Sequence, residues 1–403
     1  MNIRFQLKQF IKQAVQNLVL PVCYSLQRCR KTDPKLVVFA DAHHDSRPAA
    51  MELLYHRLKK DGSWKIIEHY LDYGQAGAAG VAKHSVRFMG LYAKAGFVVI
   101  CDNFLPAASC RKKKETKLIQ LWHACGCYKK FGYDAKDDIP ENYHGANVYR
   151  NADLVTVSGK AAVGPFSSAM RLPESCVQPL GVSRTDLYRS KIWIRRCEER
   201  FYSQYPQAKG KKVVLWAPTF RGNAGAPESI NIDLGQLQKG LGEEYLVLAR
   251  LHPHMMRSVQ QEASASGKND PAESGHGTED MVEGQVLCPI PTEELYPVTD
   301  VLIADYSSLI YEYLLFGKPV VLYCPDLETY RRRRGFYMDI SSIPGEIIVQ
   351  GGEKALAGAV RKARTDPEKM EDFLDRYMGA CDGHATGRII EWMDRNRQGS
   401  AVN

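Results

Sequence analysis

Residues 299–312 read TDVLIADYSSLIYE, and this stretch decides the fold class. The run Val301–Ala304 is continuously apolar, as expected for a strand that is buried on both faces. It leads into Asp305, and Ser307 and Ser308 then open a segment whose apolar residues recur at helical spacing. A short buried strand followed directly by a helix is the repeating unit of parallel α/β sheets.

The same alternation occurs in both halves of the chain. In the first half we predict strands at 35–40, 64–71, 97–101, 118–122 and 154–157, with helices at 49–60 and 80–94. In the second half we predict strands at 212–217, 245–251, 301–304 and 319–323, with helices at 291–298, 307–316 and 352–365. The sequence therefore predicts an α/β protein with two Rossmann-like domains, which bind ligands at the carboxyl ends of the parallel strands and in the cleft between domains.

Changes in composition predict the domain boundaries. We expect one domain over 33–190, a charged and aromatic linker over 191–210, and a second domain over 211–366. Residues 258–284 are rich in Ser, Gly, Glu and Asp and lack apolar periodicity, which predicts a mobile surface loop. A final helix is expected over 367–398.

Composition and charge exclude several classes of protein. The chain has 403 residues and a formal net charge of +8, which favours anionic partners. No basic helix with interleaved aromatic residues is present, so nucleic acid is not an expected partner. The cysteine count of 11 is odd and the spacing scattered, which favours reduced thiols in a cytosolic compartment over a disulfide framework.

The first 32 residues form a separate region. Apolar residues recur at helical spacing among basic ones, and Lys12 and Gln13 interrupt the apolar run that a secretory signal would need. This pattern predicts a basic amphipathic helix that lies in the membrane interface. The alternative is a helix that packs on its own domain.

His123 is the first candidate for chemistry. It follows a predicted strand, at the edge where such folds place functional groups, and histidine can accept a proton near neutral pH. Lys129 and Lys130 supply positive charge nearby; the alternative is a capping histidine with solvated lysines. Cys125 and Cys127 have no second cysteine pair at zinc spacing, so no metal site is expected.

The second half offers further candidates. Arg250 and His252 follow a strand and could bind a phosphate. Asp305, Ser307 and Ser308 stand where a strand gives way to a helix, whose exposed amides suit an anion; simple helix capping is the alternative. Glu312 could reach a ribose hydroxyl. Arg334 ends a run of four arginines, which is either a solvated run or a source of bidentate phosphate contacts.

Read together, six blocks resemble the CDP-glycerol glycerophosphotransferase family, the teichoic acid primases and polymerases. The similarity extends from about residue 36 to residue 392. The blocks are Trp122-His123 with Lys129-Lys130 and Gly132-Tyr-Asp134, Gly181-Val-Ser-Arg-Thr-Asp186, Ala217-Pro-Thr-Phe-Arg221, Asp305-Tyr-Ser-Ser308, Arg334-Gly-Phe-Tyr-Met-Asp339 and Asp382-Gly-His-Ala-Thr-Gly-Arg388. Ala124 and Ser183 replace a glycine and a proline that the family commonly has.

The resemblance implies a glycosyltransferase-B-like fold whose final helix crosses back to the first domain. It implies transfer of glycerol phosphate from CDP-glycerol to a lipid-linked acceptor, with release of CMP, by a peripheral enzyme on the cytoplasmic face of the membrane. A CDP-ribitol donor, a nucleotide-sugar donor and a non-enzymatic binding protein are the alternatives. No cofactor or metal is expected to be required.

The resemblance also assigns roles to residues. The implied catalytic residues are His123, His252 and Asp305. Donor binding would involve Arg221, Arg250, Ser307, Ser308, Glu312 and Arg334. Lys129, Lys130 and Asp134 would bind the acceptor.

Overall fold

The structure is a computed structural model that describes residues 13–135, 138–139, 146–219, 221–223, 226–228, 232–250, 281–282, 285–286 and 288–398. The chain divides into two compact units. Unit 1 comprises Met1–Leu187 together with Arg376–Asn403, and unit 2 comprises Tyr188–Asp375. The predicted α/β class with parallel sheets is confirmed in both units.

Unit 1 contains a six-stranded parallel sheet with the order β2-β1-β3-β4-β5-β6. Its strands are β1 (Asp33–Asp41), β2 (Lys65–Tyr70), β3 (Ala95–Ile100), β4 (Lys117–Gln120), β5 (Ala152–Thr156) and β6 (Val177–Gln178). The strand order reverses between β1 and β3, because β2 lies outside β1. Such a switch point is where open α/β sheets commonly bind ligands.

Helices cover both faces of this sheet. They are α1 (Leu20–Ser25), α2 (Ala49–Asp61), α3 (Ala78–Tyr92), α4 (Leu105–Ala108) and α5 (Val163–Met170). Alternate residues of β1 enter different cores: Val38 packs with Phe88 and Tyr92 on one face, whereas Phe39 packs with Leu54 on the other. This division follows from the two-residue period of a strand.

Unit 2 contains a five-stranded parallel sheet with the order β10-β7-β13-β14-β15. Its strands are β7 (Lys212–Ala217), β10 (Tyr245–Ala249), β13 (Val301–Ala304), β14 (Val320–Tyr323) and β15 (Gly345–Ile348). Two short antiparallel pairs form separate two-stranded sheets, β8 (Arg221–Asn223) with β9 (Ala226–Glu228) and β11 (Met281–Val282) with β12 (Gln285–Val286). Most of the predicted loop at 258–284 lies outside the described residues.

The helices of unit 2 include the segment that we predicted as a linker. They are α6 (Lys191–Gln204), α7 (Leu234–Leu241), α8 (Thr292–Leu295), α9 (Leu309–Leu314), α10 (Leu327–Arg333), α11 (Gly352–Lys362) and α12 (Pro367–Met378), the last of which ends in unit 1. The apolar faces of α7 and α11 pack on the sheet through Leu237, Leu241, Leu356 and Val360.

The predicted final helix is two helices, α12 and α13 (Ala385–Gln398). Gly383 separates them in the left-handed region, with φ of 97°. The Asp186 carboxylate caps the start of α13 by accepting from the amides of Ala385, at 3.0 Å, and Thr386, at 2.8 Å. Arg388 donates to the Leu180 carbonyl and to Asp382. Two of the sequence blocks therefore bind each other and hold α13 on unit 1.

The described part of the N-terminal region is helical from residue 13 to Ser25, with a π-helical turn over Val15–Val19. One face packs on unit 1, where Leu20 and Tyr24 are buried and the Tyr24 hydroxyl accepts from the Lys113 amide at 3.0 Å. The other face is open, with Leu18, Val22 and Leu26 exposed by 67%, 58% and 76%. Residues 1–12 of the predicted amphipathic helix lie outside the described residues. Within the described chain, every helix is too short or too polar to cross a membrane.

Candidate active site

The carboxyl ends of β1, β3 and β4 are neighbours in unit 1, and each is followed by polar side chains. β1 ends at Asp41, β3 is followed by Asp102, and β4 is followed by His123. Because the strands are parallel, these residues lie at the same carboxyl-terminal edge of the sheet, next to its switch point.

His123 and Asp102 form an ion pair at this edge, with 3.3 Å between His123 Nδ1 and Asp102 Oδ2. Burial would raise the pKa of Asp102, but the hydrogen bond and charge of His123, together with the charge of His43, lower that pKa to about 2. The carboxylate is therefore ionised throughout the neutral range. The His123 side chain is half exposed, so a substrate can reach the imidazole.

Backbone contacts fix the positions of both partners. Gln120 Nε2 donates to the Asp102 carbonyl at 3.0 Å, and Gln120 Oε1 accepts from the Trp122 amide at 3.0 Å. Arg184 Nη2 donates to the His123 carbonyl at 2.9 Å. Arg184 belongs to the same sequence block as Asp186, so the block that caps α13 also supports the histidine.

Trp122 has φ of 59°, a conformation that a bulky residue adopts only when its surroundings impose it. Its buried ring lies against Phe131 and Phe166, with centroids 4.9 and 5.8 Å away. The same ring stacks on His123, with a centroid distance of 4.5 Å. The strained turn thus holds the imidazole between an aromatic face and the Asp102 carboxylate.

This arrangement suits a general base. An ionised carboxylate at Nδ1 favours the tautomer that carries its proton there, and this leaves Nε2 free to accept a proton. The carboxylate also stabilises the imidazolium that forms when the proton arrives.

The three predicted acceptor-binding residues lie on the segment that follows His123. Lys129, Lys130 and Asp134 are all partly exposed, and Asp134 accepts from Ser168 Oγ at 2.9 Å. Gly132, with φ of 57°, brings this segment against α5, where a Cβ would lie 2.4 Å from the Ala169 carbonyl oxygen. Both lysines therefore lie on a segment that is fixed at one end by His123 and at the other by the packing of Gly132 on α5.

In unit 2, Asp305 is fully buried, and its carboxylate accepts from the amides of Thr219, at 2.8 Å, and Tyr306, at 2.7 Å. These contacts join the loops that follow β7 and β13. They give Asp305 a positioning role within the described residues. The predicted pairing with His252 remains a prediction, because His252 lies outside the described residues.

Ser307, Ser308 and Arg334 remain partly exposed near this edge. Ser307 Oγ makes a long contact with the Leu309 amide, at 3.4 Å, and Ser308 precedes α9 without a side-chain capping bond. Tyr306 stacks on Tyr330, whose carbonyl accepts from the Arg334 amide at 2.8 Å. The structure therefore brings the serine pair and the end of the arginine run to one region of unit 2.

The remaining residues predicted to bind the donor are Glu312, Arg250 and Arg221. Glu312 is buried and accepts from the Tyr188 hydroxyl, so the structure favours a structural role for this carboxylate over the predicted ribose contact. Arg250 donates through Nη1 to the Cys288 carbonyl at 2.9 Å, so part of its guanidinium is engaged by the backbone of unit 2. The backbone of Arg221 lies in β8, and its side chain lies outside the described residues.

Sequence reasoning missed Asp102, Gln120 and Arg184. Asp102 had a detectable signal, since it follows the apolar run of β3 as Asp305 follows that of β13. Gln120 was read as part of a strand, and Arg184 as a motif residue without a role. Among the described residues, no three His, Cys, Asp or Glu side chains gather as a metal site.

Comparison with known proteins identifies the family. The family model for "CDP-Glycerol:Poly(glycerophosphate) glycerophosphotransferase" matches residues 22–393. The teichoic acid ribitol-phosphate primase of Bacillus spizizenii is 34% identical over 373 residues, which cover 89% of this chain and 90% of that protein. The teichoic acid glycerol-phosphate primase of Bacillus subtilis is 28% identical over 306 residues, which cover 74% of this chain and 73% of that protein.

The fold has a solved counterpart. The structure of the wall teichoic acid polymerase TagF matches with a TM-score of 0.70 and 20% identity over the full length of both chains. At that identity the likeness establishes the fold. With the family model covering most of the chain, the sequence and the fold agree: this protein belongs to the CDP-glycerol:poly(glycerophosphate) glycerophosphotransferase family.

Proposed function

We propose that this protein transfers a polyol phosphate from a CDP-activated donor to a hydroxyl of a lipid-linked acceptor in teichoic acid synthesis. The His123–Asp102 pair carries the proposal, because a phosphoryl transfer to a hydroxyl needs a base at the attacking oxygen. Membership of the family supplies the reaction class.

In the proposed step, the acceptor hydroxyl oxygen attacks the phosphorus that bears the polyol. The hydroxyl proton moves to His123 Nε2, a new oxygen–phosphorus bond forms, and the bond from that phosphorus to the CMP oxygen breaks. CMP leaves with the bonding electron pair. Asp102 holds Nδ1–H throughout and stabilises the transient imidazolium.

The leaving diphosphate needs positive charge and hydrogen-bond donors, since most catalysis of phosphoryl transfer comes from positioning and charge neutralisation. We assign this work to Ser307, Ser308 and Arg334, which stay accessible in unit 2, and to Arg221 and His252. The proposal requires no metal or other cofactor.

Two donors are candidates, CDP-ribitol and CDP-glycerol. Sequence similarity favours the first, because the ribitol-phosphate primase is 34% identical and the glycerol-phosphate primase 28%. The family description and a TagF variant soaked with CDPG support the second. We therefore propose a CDP-polyol donor, with ribitol phosphate the better supported group.

Membrane association on the cytoplasmic face is part of the proposal. Leu18, Val22 and Leu26 form an exposed apolar stripe, and Arg28, Arg30 and Lys31 follow it. Apolar groups beside basic ones suit an anionic lipid surface. Replacing the three apolar residues by serine should reduce sedimentation with anionic vesicles, and equal sedimentation of variant and wild type would count against this surface.

The main test is release of CMP from CDP-ribitol and CDP-glycerol, with a nucleotide sugar in parallel and a lipid-linked acceptor present. We expect turnover of a CDP-polyol that falls at least 100-fold in His123→Ala, because a positioned base contributes on the order of 10²–10⁴-fold. Donor binding, measured separately by calorimetry, should change little. Absence of turnover with every donor would refute the proposed function, and a parallel loss of donor affinity would refute the role of His123.

A further inference from the structure

Gln120 ends β4, and its side chain contacts the backbone on both sides of the His123–Asp102 pair. The residue is 2% exposed. Its Nε2 donates to the Asp102 carbonyl at 3.0 Å, and its Oε1 accepts from the Trp122 amide at 3.0 Å. One planar amide therefore joins the residue that carries the carboxylate to the residue that precedes the histidine.

This amide takes over where the backbone pairing of β3 and β4 stops being regular. The two strands are paired up to the bond from the Leu121 amide to the Ile100 carbonyl, at 2.8 Å. Two residues further on, a regular parallel ladder would have the amide of the histidine donate to the Asp102 carbonyl. Trp122, with φ of 59°, leaves the extended conformation, and Gln120 Nε2 donates to that carbonyl. The side chain thus adds one rung to the ladder at the catalytic edge.

The loop that carries Asp102 is not closely packed on all sides. A cavity of about 10 Å³ borders it, and the residues that line this cavity include Asp102, Asn103, Ala107 and Gln120. Asn103 Oδ1 is buried and has no hydrogen-bond partner in the part of the chain that the structure describes. Because close packing is missing here, the bond from Gln120 is needed to fix the position of the Asp102 carbonyl.

We propose that Gln120 is a positioning residue whose side-chain amide sets the distance and alignment of His123 and Asp102. This inference rests on the proposed function and deepens it, because it names the group that makes the pair competent for proton transfer. The donor at Nε2 holds the residue with the carboxylate, and the acceptor at Oε1 holds the strained turn that leads to the imidazole. A side chain of the same size without the N–H leaves a buried carbonyl unsatisfied and misaligns the pair.

The variant Gln120→Glu separates this role from a general contribution to stability, because its hydrogen bonding changes with pH. A protonated glutamic acid has an O–H donor and a carbonyl acceptor, so it can make both bonds. An ionised carboxylate only accepts, and it would face the Asp102 carbonyl without a donor. Burial and the nearby ionised Asp102 carboxylate both favour the neutral acid, so the pKa of the introduced side chain should be raised.

The first test is CMP release by wild type, Gln120→Glu and Gln120→Met. Because a buried glutamic acid can titrate as high as about pH 8–9, activity is measured from about pH 5.5 to about pH 9.5. Relative to wild type at the same pH, kcat/KM of Gln120→Glu should be nearly equal at the acid end. It should fall about 10- to 100-fold at the alkaline end, since a misplacement of about 1 Å can cost about 100-fold.

Gln120→Met keeps the length of the side chain and makes neither bond, so its kcat/KM should be low at both ends of the pH range. Circular dichroism at each pH establishes that the variants are folded. If Gln120→Glu unfolds at alkaline pH, its comparison with Gln120→Met at acid pH decides. A ratio of Gln120→Glu to wild type that does not change with pH in folded protein, or a fully active Gln120→Met, would overturn the proposal.

Gln238 on α7 provides the matched control. Its Nε2 donates to the carbonyls of Gly242, at 2.9 Å, and Tyr245, at 3.0 Å, and its Oε1 accepts from the Val247 amide at 2.9 Å. This amide also joins backbone groups, but it does so at the amino-terminal end of β10 in unit 2. Gln238→Glu should keep kcat/KM within about threefold of wild type at every pH, because distant sites act independently. The same loss at alkaline pH in this control would contradict a specific role for Gln120.

A measurement without turnover distinguishes failure of this inference from failure of the proposed function. In protein with ¹⁵N-labelled histidine, the imidazole resonances of His123 report which ring nitrogen carries the proton. At alkaline pH, wild type and Gln238→Glu should show the Nδ1–H form that the Asp102 carboxylate favours, whereas Gln120→Glu and Gln120→Met should lose this preference. An unchanged tautomer in both Gln120 variants would refute the positioning role. The expected tautomers without CMP release by wild type would refute the proposed function alone.

Discussion

Replacing Asp102 by asparagine tests the central claim about this site. The substitution keeps the size of the side chain and removes its charge. It also permits the amide NH₂ to face His123 Nδ1, which would favour the wrong tautomer of the imidazole. The site should then lose the stabilisation that the carboxylate gives to the imidazolium.

The lowered pKa of Asp102 gives the expected size of the loss in kcat/KM. The pKa of Asp102 falls from its ordinary 3.8 to about 2, with burial opposing and His123 providing the main favourable interaction. A difference of this size corresponds to roughly 2 kcal/mol, or on the order of 30-fold in rate. We therefore expect kcat/KM to fall about 30-fold, and further if the tautomer also changes.

The assay is CMP release under conditions where wild type is active, with calorimetry for donor binding. Asp33→Asn is the matched control, because Asp33 lies at the opposite end of β1 and its pKa is also lowered, mainly by a hydrogen bond from Lys65. This control should retain activity within about twofold, since an exposed ion pair contributes little. A folded Asp102→Asn variant whose kcat/KM stays within threefold of wild type would refute the dyad.

Two further predictions concern unit 1. Gly159→Ala should destabilise it by about 1–3 kcal/mol, because the new Cβ would lie 2.5 Å from the backbone of Tyr377. Gly387→Ala is the control: its Cβ would have no atom within 4 Å, so this variant should be neutral or stabilising. Urea unfolding of both variants measures the two free energies of unfolding. The rings of His69 and His84 stack 3.6 Å apart, and burial lowers both pKa values to about 4. The unfolded chain therefore binds more protons between pH 6.5 and pH 4, so this pair should lower the free energy of unfolding as pH falls through that window, by up to about 1.4 kcal/mol per pH unit for each histidine. Hydrogen exchange of β2 at pH 7 and pH 5 should show the loss, and the same loss after both histidines are changed to glutamine would exclude this pair as its cause.

The sequence by itself determined the fold class and most of the strands. β7 and β13 begin and end where the apolar runs predicted, because strands buried on both faces must be continuously apolar. β6 has two residues and β15 combines glycine, glutamate and two isoleucines, so neither carries such a run, and both were missed. The prediction of one continuous final helix was wrong at Gly383, whose positive φ separates α12 from α13. The cap of α13 is Asp186, which is distant in sequence and therefore could not be recognised from local periodicity.

The sequence also identified His123 as the candidate base, from its place after an apolar run. Only the tertiary structure decided its partners. The order β2-β1-β3-β4 makes β1 and β3 neighbours and brings Asp41, Asp102 and His123 to one edge. Local periodicity encodes where a strand lies but not which strand lies beside it. That order results from the packing of helices on both faces of the sheet, so the pairing of a histidine with its carboxylate is a property of the folded chain.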